Sequence, residues 1–257
     1  MRMTTPPSSP GIRPDASALR TAAPQRPGAP GKGRRVTDAP TRMFHWLFAL
    51  SFAGAYITAE SEHWRLLHVT LGYSMALLLV FRVLYGLFGP RQVRLSALWG
   101  KLQGGGRWMR THLREPWLLL SDAGRGGQNF LMALAIAALL ALTVPLVLSG
   151  YGTYNEWGEW LEELHEFFGN AFLAVVLAHL GLIATLSLLR RTNLVRPMWS
   201  GTMAGSGPDL VTSPRRWLAA LLLLAVLGFG LTYWQQAGPE AAAASLTTQD
   251  RGHDDDD

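Results

Sequence analysis

The sequence predicts an all-α integral membrane bundle. Three observations carry this: five long apolar windows, basic residues confined to alternate connections, and four histidines placed at matched depths inside the windows. The chain has 257 residues, 49% hydrophobic and only 16% charged. A bilayer core of about 30 Å needs about 20 residues of helix to cross it. The windows run Phe44–Ala59, Leu66–Phe88, Phe130–Ser149, Glu166–Leu189 and Trp217–Trp234. The first is short, and Arg82 is the one basic residue inside a span, near that span's end. A soluble protein rarely needs five such stretches.

Orientation follows from the basic residues. Eight Lys and Arg precede the first span, seven lie in the second connection (Gly89–Asn129) and five in the fourth (Arg190–Arg216). The first connection has only Arg65, the third none, and the tail only Arg251. The N terminus is therefore expected in the cytoplasm and the C terminus outside, in a multi-pass membrane protein. The pI near 10 reflects this bias and gives no argument for nucleic acid.

Residues 1 to about 40 are rich in Pro, Ser, Gly, Ala and Arg without apolar periodicity, and read as a disordered cytoplasmic tail. They lack the apolar core of a cleaved signal peptide, so the first apolar helix is read as an uncleaved signal anchor. The second connection mixes Arg with Trp99, Trp108 and Trp117, as amphipathic pieces on the inner membrane surface would. Pro145 implies a kink in the third span, which membrane helices tolerate. The third connection, Tyr151–Leu164, sets Glu156, Glu159, Glu162 and Glu163 beside Trp157 and Trp160, an acidic outer rim. An alanine-rich tail follows Trp234 and ends in four aspartates.

There is no cysteine. Covalent c-type haem and Cys-ligated iron–sulfur clusters are excluded, so a redox cofactor would be held non-covalently, with histidine the obvious ligand. Histidine is rare in lipid-spanning helices because the polar ring needs a partner. One alone would suggest an interhelical hydrogen bond, but here there are four, His45, His68, His165 and His179. Two carry the same pattern, Leu67-His68-x-x-x-Gly72 and Leu164-His165-x-x-x-Gly169. The glycine lies one turn along the same face, where a flat ring bound to the histidine can approach the helix. That suits bis-histidine ligation of b-type haem, and it occurs twice.

The expected topology pairs them. Span one enters from the cytoplasm and puts His45 near the inner side, while spans two and four start outside and put His68 and His165 near the outer side. His179 follows His165 by fourteen residues, close to four turns and about 21 Å deeper on the same face. The pairs are then His68 with His165 for an outer haem and His45 with His179 for an inner one, an electron wire across the bilayer. Arg42, three residues before His45, and Arg82, fourteen after His68, are candidates for the haem propionates. His63 and His112 are read as exposed.

Arg42-Met-Phe-His45-Trp46, Leu67-His68-x-x-x-Gly72-Tyr73, His165-Glu166 with His179, and Asn193-Leu-Val-Arg196-x-Met198-x-x-Gly201 together resemble the prokaryotic cytochrome b561 family over roughly residues 38 to 202. That family includes the b-type subunits of nickel–iron hydrogenases. The resemblance implies a four-helix bundle holding two haems b between spans one, two and four, with His45, His68, His165 and His179 as axial ligands. It also implies electron exchange between the quinone pool and a partner. The expected organisation is a tail at 1–40, a dihaem domain at 41–202, a linker with an additional transmembrane helix at 203–235, and a disordered acidic extracytoplasmic tail at 236–257.

The leading functional expectation is an electron carrier between quinone and an extracytoplasmic partner such as a c-type cytochrome. Alternatives are the membrane anchor of a larger oxidoreductase such as a hydrogenase, a superoxide:quinone oxidoreductase, and a haem-free transporter using the histidines as a relay. No nucleophile–base pair, P-loop or dinucleotide fingerprint stands out.

Overall fold

The computed structural model describes residues 33–112, 124–203, 208–211 and 213–251. The first helix, α1 (Ala39–Thr58), starts where Asp38 accepts a hydrogen bond from the Thr41 amide at 3.2 Å, with Pro40 in the first turn. Both are standard helix openers, one supplying an acceptor and the other a pre-set φ. α2 (Arg65–Phe88) returns after a short 3-10 turn. α3 (Leu95–His112) occupies the long second connection, where helical pieces are expected. α4 (Gly124–Tyr154), α5 (Trp160–Arg190), the one-turn α6 (Arg196–Ser200) and α7 (Arg216–Arg251) follow.

Among the described residues, four helices are long and apolar enough to cross a membrane: Glu62–Phe88, Asn129–Tyr154, Trp160–Arg190 and Arg216–Gln236. α1, expected as the first span, is not among them. Its 20 residues include Arg42, His45, Trp46, Ser51 and Thr58, which dilute its apolar character.

Helices α1, α2, α4 and α5 surround a common interior. α4 and α5 pack along one another, α1 packs along α2, and α2 also meets α4. The ring closes where Phe172 of α5, 1% exposed, packs on Phe48 and Phe52 of α1. α7 lies outside this ring against α1 and α2. Its Leu222 and Val226 bury against Leu78, with Met43, Phe44 and Leu47 at the edge.

The third connection is tighter than expected. α4 continues to Tyr154 and ends in a Schellman motif: Trp157 N–H donates to the Gly152 carbonyl (3.0 Å) and Glu156 N–H to Thr153 (3.1 Å). Glu156 takes the left-handed conformation, φ 57°, that this cap requires. α5 closes the same way through Arg191, φ 50°, with Thr192 N–H on Ser187 O at 3.1 Å.

The expected tail boundary at residue 40 also moves. β1 (Arg34–Arg35) pairs antiparallel with β2 (Thr202–Met203), and Val36 N–H donates to the Gly201 carbonyl at 2.9 Å. Arg35 N–H donates to Asp209 at 2.8 Å. A two-residue ladder reads weakly in sequence because most of its partners come from the far end of the domain. α7 runs past residue 235 to Arg251; residues 1–32 and the acidic end 252–257 lie outside the described residues, as does the His112 side chain.

Asp38 ties three elements together. It is 2% exposed, and the Tyr85 hydroxyl of α2 donates to its carboxylate. Arg215, just before α7, lies within electrostatic reach of Tyr85. A buried carboxylate needs such partners. Asp38→Ala removes the helix cap and orphans Tyr85, so it is expected to cost roughly 2 kcal/mol. The check is the thermal midpoint of the detergent-solubilised protein followed by far-ultraviolet circular dichroism; an unchanged midpoint contradicts the assignment.

Candidate haem site

The His68 and His165 rings face each other across the bundle, with centroids 5.9 Å apart and planes at 80°. Two metal–imidazole bonds of about 2 Å put the ligating nitrogens about 4 Å apart and the ring centres roughly 6 Å apart. The observed spacing is of that size.

Each ring is oriented by a backbone carbonyl. His68 Nδ1 donates to Ala55 O at 2.8 Å, and His165 Nδ1 to Leu146 O at 3.0 Å. A carbonyl only accepts, so Nδ1 carries the proton, and in the neutral ring Nε2 keeps the lone pair that binds metal. Ala55 O is available because α1 ends at Thr58, and the last carbonyls of a helix lack intrahelical partners. The Thr58 hydroxyl shares it at 3.2 Å.

His45 and His179 lie at the opposite end of the bundle, within electrostatic reach of each other. Both Nδ1 atoms are buried without a hydrogen-bond partner in the protein. The His45 ring packs edge-on against Trp46, centroids 5.5 Å apart. All four rings are half-buried, whereas His63 is exposed as expected. Among the described residues no three His, Asp, Glu or Cys side chains converge. Histidines that face each other in twos, as His68 and His165 do, would suit an iron already held by a porphyrin.

The two glycines of the repeated pattern face space. A Cβ on Gly72 would meet nothing within 4 Å, and one on Gly169 only Leu146 Cδ1 at 4.0 Å. They are not there to let helices touch; they leave room beside the histidines. The donor set, the ring spacing and this clearance fit b-type haem.

Arg42 and Arg82 each hold a backbone carbonyl. Arg42 Nη1 donates to Trp199 O at 2.9 Å and Arg82 Nη1 to Val93 O at 3.2 Å. Trp46 Nε1 donates to Met198 O at 3.1 Å, so two sequence segments quoted above, 42–46 and 193–201, dock on one another. Asn193 Oδ1 accepts from the amides of Val195 (3.0 Å) and Arg196 (3.1 Å) to start α6. Gly201 ends it at φ 77°, and a Cβ there would sit 2.9 Å from Thr37 O, so no other residue fits well.

Sequence reasoning missed Gly150. An added Cβ would approach the His165 ring to 2.7 Å, so only glycine lets α4 pass behind this histidine. Ser149, whose hydroxyl is 3.4 Å from His165 Nδ1, was missed as well. No periodic signal marks either, because their partner lies on the next helix.

Fold and site together define a helical membrane protein with facing histidines in its interior. The chain belongs to the prokaryotic cytochrome b561 family, whose profile matches residues 36–201. It is thus a membrane b-type cytochrome of electron transfer. No curated protein and no solved structure gave a match. α7 and its lead-in lie beyond the matched region.

Gly150→Val is expected to displace the His165 ring and lower haem retention, read as the Soret-to-protein absorbance ratio after purification. Gly228→Ala, whose Cβ meets nothing within 4 Å, is the control. Equal ratios in the two variants would contradict the account of Gly150.

Proposed function

We propose that this protein is a dihaem cytochrome carrying electrons across the cytoplasmic membrane between the quinone pool and an extracytoplasmic redox protein. The observation that carries the reading is the facing His68–His165 pair, each ring fixed by a carbonyl in the tautomer that binds iron. His68 and His165 would hold one haem and His45 and His179 the other. Gly72 and Gly169 give the rings clearance.

When bound, haem b supplies one-electron oxidation and reduction. The protein's part is orientation and tuning. The Ala55 and Leu146 carbonyls fix ring direction and raise imidazole basicity, which favours oxidised iron. The buried layer of Phe52, Met75, Leu146 and Phe172 keeps water from the interior. Arg42 and Arg82 stand at the His45 end, where their guanidinium groups would pair with propionates.

α1 makes the first of five crossings, with the N terminus cytoplasmic and the C terminus outside. Its packing against both α2 and α7 supports this, since a helix sheltered by protein tolerates polar residues that lipid does not. Glu156, Glu159 and Glu163 are exposed at the end of the bundle that carries His68 and His165. They would steer a basic cytochrome c.

A dithionite-reduced minus oxidised spectrum with haem quantified per chain tests the core of this reading. The expected result is two haems b, one lost on His68→Ala with His165→Ala and the other on His45→Ala with His179→Ala. A folded protein without haem returns the histidines to the transporter reading. Docking is tested apart: changing Glu156, Glu159 and Glu163 to Gln should slow transfer to a basic c-type cytochrome and flatten its salt dependence, since ionic screening acts within about 8 Å at physiological ionic strength. Identical kinetics sink the docking surface alone.

A further inference from the structure

One packed layer separates the two histidine pairs. Residues seven apart on a helix share a face to within about 20° and differ in height by about 10.5 Å. Counting from the histidines, that step lands on Phe52 from His45, on Met75 from His68, and on Phe172 from both His165 and His179. The three are buried, at 8%, 2% and 1% exposure. They form one cluster with Leu146, the residue whose carbonyl orients His165. The Phe52 and Phe172 rings lie 4.4 Å apart between centroids, tilted by 44°.

This contact holds an unusual position in the packing. α5, which carries His165 and His179, lies along α4 but approaches α1 and α2 only at points. Toward α1 these points include Phe172 on Phe48 and Phe52, and an exposed hydrogen bond from Tyr56 to Asn170 at 3.2 Å. Between those places and the helix ends, the interior is flanked by the histidines.

We propose that the Phe52–Phe172 pair is a spacer that sets the separation of α1 and α5 and so positions both histidine pairs at once. Its consequence for haem rests on the ligand assignment above; its geometric role does not. Metal–ligand distances tolerate changes of only about 0.2 Å, so a shift at the middle of α5 is felt at both ends. The two phenylalanines are positioning residues, acting on the sites only through the helices that bear the histidines. A truncated ring leaves a void that neighbouring groups fill only partly, and α5 tilts or moves inward.

The absence of cysteine makes the spacing directly measurable. Ile57→Cys on α1 and Phe167→Cys on α5, native positions 81% and 63% exposed, accept a pair of spin labels. In the full-length protein as purified, Phe172→Ala should shift or broaden the label-to-label distance distribution. It should also move the low-spin ferric signals of both haems in the electron paramagnetic resonance spectrum. Phe172→Leu, which keeps most of the volume, should give a smaller change in the same direction and carries the test if the alanine variant does not assemble. Leu177→Ala, on the exposed face of α5 (58%), should move neither readout.

An unchanged distance distribution overturns the spacer, as does a spectral change confined to one haem. Wild-type protein that folds without haem would defeat the ligand assignment instead, and the distance measurement would still decide the spacer.

Discussion

A polar ring in an apolar bundle must find a partner for its N–H, and much of this structure follows from how His68 and His165 meet that demand. Each gives its Nδ1 proton to a backbone carbonyl of a different helix. The bond fixes the tautomer, aims the ring and ties the histidine's helix to a neighbour. α1 must therefore end near Ala55, where carbonyls are left over, and α4 must carry Gly150, where a side chain would strike the ring. Ring orientation and helix packing are here met by the same hydrogen bond.

The second organising constraint is the heptad step along the helices. Because seven residues nearly complete two turns, His165, Phe172 and His179 stand on one face of α5, with Phe52 and Met75 at the matching height on α1 and α2. Polar ring, aromatic layer and polar ring alternate along the interior. The buried apolar layer of Phe52, Met75, Leu146 and Phe172 stands between the histidines of the two ends.

Around this interior, the elements beyond the four helices lock the end that carries His45. Asp38, Tyr85 and Arg215 join α1, α2 and the lead-in to α7, while Arg42 and Trp46 grip the end of α6. α7 then covers the α1–α2 face along its apolar side. α7 is packed into the protein rather than hung from it, which gives α1 a second helical neighbour beside α2. That setting accounts for a helix in the bundle that its own hydropathy would not place there.

The sequence by itself determined the helices α2, α4, α5 and α7, because long apolar windows need no partner to be recognised. It determined which faces the histidines occupy and where the neighbouring glycines leave room, because helical period is a local property. It placed α1 as a span on apolar residues alone, and its polar content shows the limit of that measure. Only the tertiary structure decided which carbonyl holds each ring, why residue 150 is glycine, and where Asp38 finds its partner. These contacts join residues 13 and 19 positions apart at the histidines, 47 at Asp38 and Tyr85, and 157 at Arg42 and Trp199. No period in the chain encodes such separations; they are set when apolar faces pack and every polar group caught between them must be satisfied.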